Sequence, residues 1–130
     1  MSQALVLTHG AIGEELVRVV ELILGPTDGL SDDTNQGRSA RQVAEVVGAW
    51  LQDAGPGTDA VILVDDYGGS CAAAARLGGA EAATVPVISG VNLAMLLAYV
   101  TWRDELEGSE LVQRIIDQGR KAVTVVGATR

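Results

Sequence analysis

The sequence predicts an α/β sandwich built on a mostly parallel sheet. Two apolar runs, Ala4-Leu5-Val6-Leu7 and Ala60-Val61-Ile62-Leu63-Val64, show no polar alternation, as expected of strands covered on both faces. These runs are separated by segments whose apolar residues recur at helical spacing, which is the pattern of crossover units. The chain is 48% hydrophobic but only 3% aromatic and has no Phe. Its core is therefore Val, Leu, Ile and Ala, residues suited to close packing of helices on a sheet.

The first strand, Ala4–Thr8, closes at His9-Gly10. Gly13–Leu24 follows as a helix, with Leu16, Val17, Val20 and Ile23/Leu24 on one face and Glu14 and Glu15 at its positive end. Gly25-Pro26 stops it. Residues 25–38 are rich in Gly, Pro, Asp, Asn and Ser, and Leu30 is their only large apolar residue. A short edge strand near Leu30–Asp33, a plain loop and a disordered segment all fit this stretch. Ser39 and Gln42 have the spacing of a capping box, opening a second helix with the stripe Val43, Val46, Val47, Trp50, Leu51. Gly55-Pro56-Gly57 ends it, and the strand Ala60–Val64 runs out into Asp65-Asp66-Tyr67-Gly68-Gly69-Ser70.

A small-residue helix is expected over Cys71–Leu77. The next strand is Val85–Ile88, with Pro86 placing it at an edge or serving as its first residue. Ser89-Gly90 turns the chain into a helix over Asn92–Glu105, with Asn92 as N-cap. Ser109–Gln118 is a further helix capped by Ser109, and Ala122–Val126 reads as a last short strand. Residues 1–130 are expected to form one domain.

Charge and cysteine content narrow the function. The net charge of −8 argues against nucleic acid, whose phosphates need clustered Lys and Arg, but it permits a basic protein partner. Cys71 is the lone cysteine, so an internal disulfide is impossible and a reducing compartment is expected. No basic flank precedes an N-terminal apolar run, and the longest uncharged apolar stretch, Val91–Trp102, is too short to span a bilayer. A cytoplasmic location without membrane insertion is the expectation.

In a parallel sheet of this kind, ligands bind beyond the carboxyl ends of the strands, where the strand order reverses. With the first strand beside the third, those ends carry the only histidine, His9, together with Asp65; Ser89-Gly90 ends the fourth strand. A nucleophilic imidazole needs a free lone pair on one nitrogen and a proton on the other, donated to an acceptor that fixes the tautomer. Asp65 is placed for that role, while Asp66 points elsewhere if strand geometry persists. Gly68-Gly69-Ser70 could offer phosphate donors at the start of the following helix. The same residues have plainer readings: a structural or surface histidine, an aspartate that forms a turn, and a capped glycine turn. Gly68-Gly69-Ser70 is not a Walker loop, because no Lys follows, and Gly10 and Gly13 do not complete a dinucleotide fingerprint. Nothing requires a metal or cofactor.

The segments Thr8-His9-Gly10, Val64-Asp65-Asp66-Tyr67-Gly68-Gly69-Ser70 and Ser89-Gly90-Val91-Asn92-Leu93-Ala94-Met95-Leu96 occur in an order and spacing that resemble the mannose-type enzyme IIA domains of the bacterial phosphoenolpyruvate-dependent phosphotransferase system. The resemblance covers nearly the whole chain. It implies a doubly wound sheet of order 2-1-3-4 with a C-terminal antiparallel strand, here Ala122–Val126, often exchanged within a homodimer. It implies that His9 accepts a phosphoryl group from the histidine phosphocarrier protein and passes it to a separate IIB component. Asp65 would hold the imidazole, with Ser70 and the Gly69 backbone as phosphate donors. Two departures stand out: Cys71 and Ala94 occupy positions where the family usually has proline, both in first turns of helices. A regulatory phospho-acceptor of the same fold, a relative among the phosphotransferase subunits of dihydroxyacetone kinase, and a flavodoxin-like binding module without chemistry at His9 are the rival readings.

Overall fold

Four parallel strands in the order β2-β1-β3-β4 carry the structure. They are β1 (Ser2–Thr8), β2 (Leu30–Thr34), β3 (Asp59–Val64) and β4 (Val87–Ile88). The helices are α1 (Ile12–Leu24), α2 (Ala40–Ala54), α3 (Leu93–Trp102) and α4 (Gly108–Lys121). This computed structural model describes residues 2–66, 69, 71–73 and 85–127. Residues 71–73 are helical; the remainder of the helix expected over Cys71–Leu77 lies outside the described residues.

The uninterrupted apolar runs become the two central strands because both of their faces are covered. Ala4 and Val6 of β1 and Val61 and Leu63 of β3 face a core closed by α1, α3 and α4, where Val17, Val20, Leu96, Tyr99 and Ile115 are buried. Leu5, Leu7, Ile62 and Val64 face the opposite side, against Val43 and Val47 of α2 and against Cys71 and Ala72. The alternation of neighbouring residues between two cores is the period of two expected of a strand. The Ser2 hydroxyl and the Tyr99 hydroxyl bond at 3.0 Å, so the buried Tyr99 ring has its polar end satisfied.

Three of the local expectations are met in detail. The Ser39 side chain accepts from Gln42 N–H at 3.2 Å and Gln42 Oε1 accepts from Ser39 N–H at 2.8 Å, a reciprocal box at the start of α2. Asn92 caps α3 by accepting from Met95 N–H at 3.0 Å. Pro86 directly precedes β4, an edge strand, and its carbonyl accepts from Ile62 N–H at 3.0 Å.

The second strand exists, and it is an edge strand. β2 pairs with β1 from Ala4↔Leu30 to Thr8↔Thr34, and only Leu30 is buried. Its polar residues serve the outer rim: Asp33 is paired with Arg38, which also donates to the Thr34 carbonyl at 2.9 Å.

Two expectations are corrected. Ser109 is not a cap. It lies within α4, whose N-cap is Glu107, with no side-chain hydrogen bond from that residue. The Asp59 carboxylate, reaching from the start of β3, instead accepts from Gly108 N–H at 3.0 Å. The C-terminal strand over Ala122–Val126 is also absent: these residues form turns and bends after α4 and pair with no strand among the described residues. Val123, Val125 and Val126 are 80%, 68% and 95% exposed. A strand requires a partner edge for its N–H and C=O groups, and this segment pairs with none among the described residues.

Candidate functional site

The strand register builds the site. β1 and β3 pair through Leu7↔Val64, so the residues just past their tips lie side by side. Chain order reverses here: β1 is followed by β2 on one side and β3 on the other. His9 leaves β1 and Asp65 leaves β3 at this crevice, as the sequence predicts.

The two side chains meet. His9 Nδ1 lies 3.0 Å from Asp65 Oδ2 and 3.1 Å from Oδ1, and the His9 backbone N–H donates to Oδ2 at 3.0 Å. An ionised carboxylate only accepts, so Nδ1 carries a proton, and in the neutral form of the ring the lone pair is on Nε2. The exposures divide the labour: the His9 side chain is 42% exposed and the Asp65 side chain 14%. Burial by itself raises the Asp65 pKa, but the His9 N–H, the ring hydrogen bond and the ring's charge together outweigh it, and the carboxyl is held below its ordinary value.

Thr8 and Gly13 fix the loop that carries His9. The buried Thr8 hydroxyl accepts from Gly13 N–H at 2.7 Å, tying the start of α1 to the end of β1. A Cβ on Gly13 would stand 3.1 Å from Thr8 Oγ1 and 3.2 Å from the Val6 carbonyl, so this closeness depends on glycine. Gly10 takes a positive φ of 54° in the turn between them. The sequence reading overlooked this staple; a Thr followed five residues later by Gly at a strand-to-helix turn was the available signal.

Gly69 comes against the imidazole. A Cβ there would lie 3.0 Å from His9 Cε1 and 3.0 Å from Asp66 Oδ2. Its N–H makes a long turn bond of 3.4 Å to the Asp66 carbonyl. Ser70, the other expected phosphate donor, lies outside the described residues. Asp66 is exposed and makes no hydrogen bond to His9, but it does not point elsewhere as expected: its Oδ2 comes against the same Gly69 position as His9 Cε1. Cys71 is fully buried on the inner side of the site, and one sulfur, one ring nitrogen and one carboxylate oxygen from Cys71, His9 and Asp65 lie within 4.8 Å of one another. On the outer side, a hollow of about 360 Å³ begins at Gly10 and is lined by Glu14, Asp32 and Asp33. Burial, then the charges of Glu14, Asp33 and Glu21, raise the Asp32 pKa.

A parallel α/β domain with a histidine–carboxylate pair at its switch point is built to present one imidazole nitrogen outward. The model of the family described as "PTS system fructose IIA component" matches residues 3–116, and the chain belongs to this mannose-type enzyme IIA family of phosphotransferase system components. Over 123 residues it is 31% identical to the "PTS system mannose-specific EIIAB component" of Escherichia coli (strain K12), a match covering 93% of this chain and 38% of that protein. The Shigella flexneri protein of the same description matches equally. The chain therefore spans less than two-fifths of the length of these relatives. Among solved structures, the phosphotransferase system component EIIA from Streptococcus agalactiae superposes with a TM-score of 0.83 at 22% identity, covering 96% of this chain and 97% of that one. The mannose/sorbose specific IIA subunit from Enterococcus faecalis also gives 0.83 at 22% identity, covering 99% and 97%. These structures share the fold. Among the described residues, no helix is long and apolar enough to cross a membrane.

Proposed function

We propose that His9 is the phospho-acceptor of a phosphoryl relay, taking the group from the histidine phosphocarrier protein and passing it to a IIB sugar-specific component. The observation that carries this reading is the anchored imidazole: Nδ1 is held by Asp65 while the half-exposed ring leaves Nε2 for attack. Nε2 forms the N–P bond as the bond from phosphorus to the donor nitrogen breaks, and the positive charge gained by the ring is shared with Nδ1–H beside the carboxylate. Asp65 thus orients the ring and stabilises its charged state. Gly69 admits the phosphoryl group because it has no Cβ, and its long, weak turn bond can be exchanged for one to a phosphate oxygen, with Ser70, the next residue in the sequence, as the second donor of this reading.

The acidic hollow beside Gly10 favours a donor that arrives on a basic protein surface over a free anion. We extend the reading to a cytoplasmic domain spanning residues 1–130 that pairs with a second copy. Val125 and Val126 are exposed, and the groove of about 490 Å³ along β4, lined in part by Val87, Ile88, Met95, Ile116 and Val123 of the same chain, is the apolar face that the second copy covers.

The test is incubation with enzyme I, the phosphocarrier protein and phosphoenolpyruvate. One acid-labile, base-stable phosphoryl group is expected on wild type and none on His9→Ala. Label retained by His9→Ala ends the proposal. A monomer at micromolar concentration in sedimentation would remove the dimer alone.

A further inference from the structure

The cluster of His9, Asp65 and Cys71 holds more chemistry than phosphoryl transfer uses. We propose that these three side chains form an exchangeable site for a borderline-soft divalent cation, zinc foremost, and that its occupancy switches His9 off. The switching half rests on His9 being the phospho-acceptor; the binding half does not.

The donor set is one imidazole nitrogen, one carboxylate oxygen and one sulfur, all of them zinc ligand types, converging within 4.8 Å. A tetrahedral cation bonded to nitrogen and oxygen at about 2.0–2.1 Å separates them by roughly 3.3 Å. His9 Nδ1 and Asp65 Oδ2 already stand 3.0 Å apart. A sulfur at about 2.3 Å from the same ion lies roughly 3.5 Å from each of the others. Side-chain rotations of about an ångström therefore close the site. Hard cations such as magnesium gain little here, because only one of the three donors is an oxygen.

Charge and access fit an exchangeable ion. Zinc with one thiolate and one carboxylate is a neutral assembly, which limits the cost of holding it against the buried Cys71. Three protein ligands leave a fourth position open, and the half-exposed His9 provides the route from solvent.

The reaction balances simply. The Cys71 thiol gives its proton to solvent as the S–Zn bond forms, Asp65 contributes an existing carboxylate, and the neutral ring contributes one lone pair. If that lone pair is on Nδ1, the remaining ring proton moves to Nε2 and removes the nucleophile. If it is on Nε2, the metal occupies the attacking atom itself. Zinc binding and phosphoryl acceptance are mutually exclusive either way.

The experiment uses the full chain with zinc in competition with a chromophoric chelator, and cobalt(II) as a spectroscopic stand-in. Wild type should bind one equivalent and show a thiolate-to-cobalt charge-transfer band. Cys71→Ala and His9→Ala should both lose that band and bind zinc roughly tenfold or more weakly. Wild type without the band, or Cys71→Ala binding zinc like wild type, overturns the site. Phosphoryl uptake is then read as the ratio with and without one equivalent of zinc. Wild type should be suppressed and restored by chelator, while Cys71→Ala stays unaffected. Zinc bound through the sulfur with uptake unchanged overturns the switch. Absence of uptake even in metal-free wild type would instead defeat the phospho-acceptor reading and leave the binding result standing.

Discussion

Replacing Asp65 by Asn should slow phosphoryl transfer without unfolding the protein. The carboxylate accepts from the His9 backbone N–H at 3.0 Å and from Nδ1 at 3.0 and 3.1 Å. Asparagine keeps the shape and one acceptor oxygen; in the Oδ2 position that oxygen can still take both donors, but the amide nitrogen then stands in the Oδ1 position, 3.1 Å from Nδ1. There its N–H faces the Nδ1–H donor against donor, or turns the ring to the tautomer that carries hydrogen on Nε2. Hydrogen bonds to charged groups contribute about 1.5–3 kcal/mol. The Asp65 side chain is only 14% exposed, so water replaces little of that interaction when the ring becomes positive. At about 1.4 kcal/mol for each tenfold in rate, the expected slowing is roughly 10- to 150-fold. Single-turnover transfer from labelled phosphocarrier protein measures it, with the thermal transition recorded on the same preparation. A rate indistinguishable from wild type in a folded variant would refute the argument that the carboxylate supports the charged ring.

Other outcomes follow from individual contacts. Gly69→Ala should reduce uptake several-fold with its melting temperature nearly unchanged, because the new Cβ would press on His9 Cε1 and Asp66 Oδ2, both 3.0 Å away; unchanged uptake would show that the ring need not stay where it is. Gly119→Ala should act on stability instead, since a Cβ there falls 2.4 Å from Met95 Cγ in the α3–α4 contact. Methionine can rotate away, so the cost is about 1–2 kcal/mol, or roughly 4–8 °C in thermal melting. The Asp65 pKa is depressed on folding, so its contribution to stability is in place above the ordinary carboxylate range and is lost as pH falls through the lowered value. The stability gap between wild type and Asp65→Asn in urea titrations should therefore persist at pH 7 and close only in strong acid. Asp32 has the opposite sign: its raised pKa means that ionisation in the fold is resisted, so Asp32→Asn should melt higher than wild type at pH 7, and a lower melting point would contradict the burial and charge arguments.

The central strands and the His9–Asp65 pair were legible because each is a local signal with a single spatial outcome. An uncharged run such as Ala60–Val64 can be buried only between two layers, and parallel neighbours bring residues past their tips to one edge. The only histidine followed one such run and an aspartate the other, so adjacency of β1 and β3 sufficed to join them. β2 was ambiguous because an edge strand needs to bury little, and Leu30 alone supplies that burial. Ser109 misled because the charge that reaches the start of α4 comes from Asp59, 49 residues earlier, a contact without any local trace. The segment 122–126 has the composition of a strand but not its partner; β-propensity describes a side-chain surface, and pairing depends on an edge that sequence alone does not locate.

The surroundings of His9 also bear on why a group would leave it as readily as it arrives. A relay fails if its phosphorylated form is too comfortable. An arginine or lysine against the phosphoryl oxygens would lower the energy of that state and trap it, whereas the hollow that starts at Gly10 presents Glu14 and Asp32, with Asp33 paired to Arg38 at its rim. Burial raises the Asp32 pKa first, and the negative field of Glu14, Asp33 and Glu21 raises it further. A dianionic phosphoryl group near this field is repelled, while a basic partner surface is attracted to the same place. Neutralising the hollow by Glu14→Gln together with Asp33→Asn should therefore have two separable effects: slower association with the phosphorylated donor, most evident at low salt, and a phosphorylated form that survives longer before transfer or hydrolysis. An unchanged lifetime of the phosphorylated form would mean that the acidic rim serves recognition only and that the transfer potential is set within the His9–Asp65 pair itself.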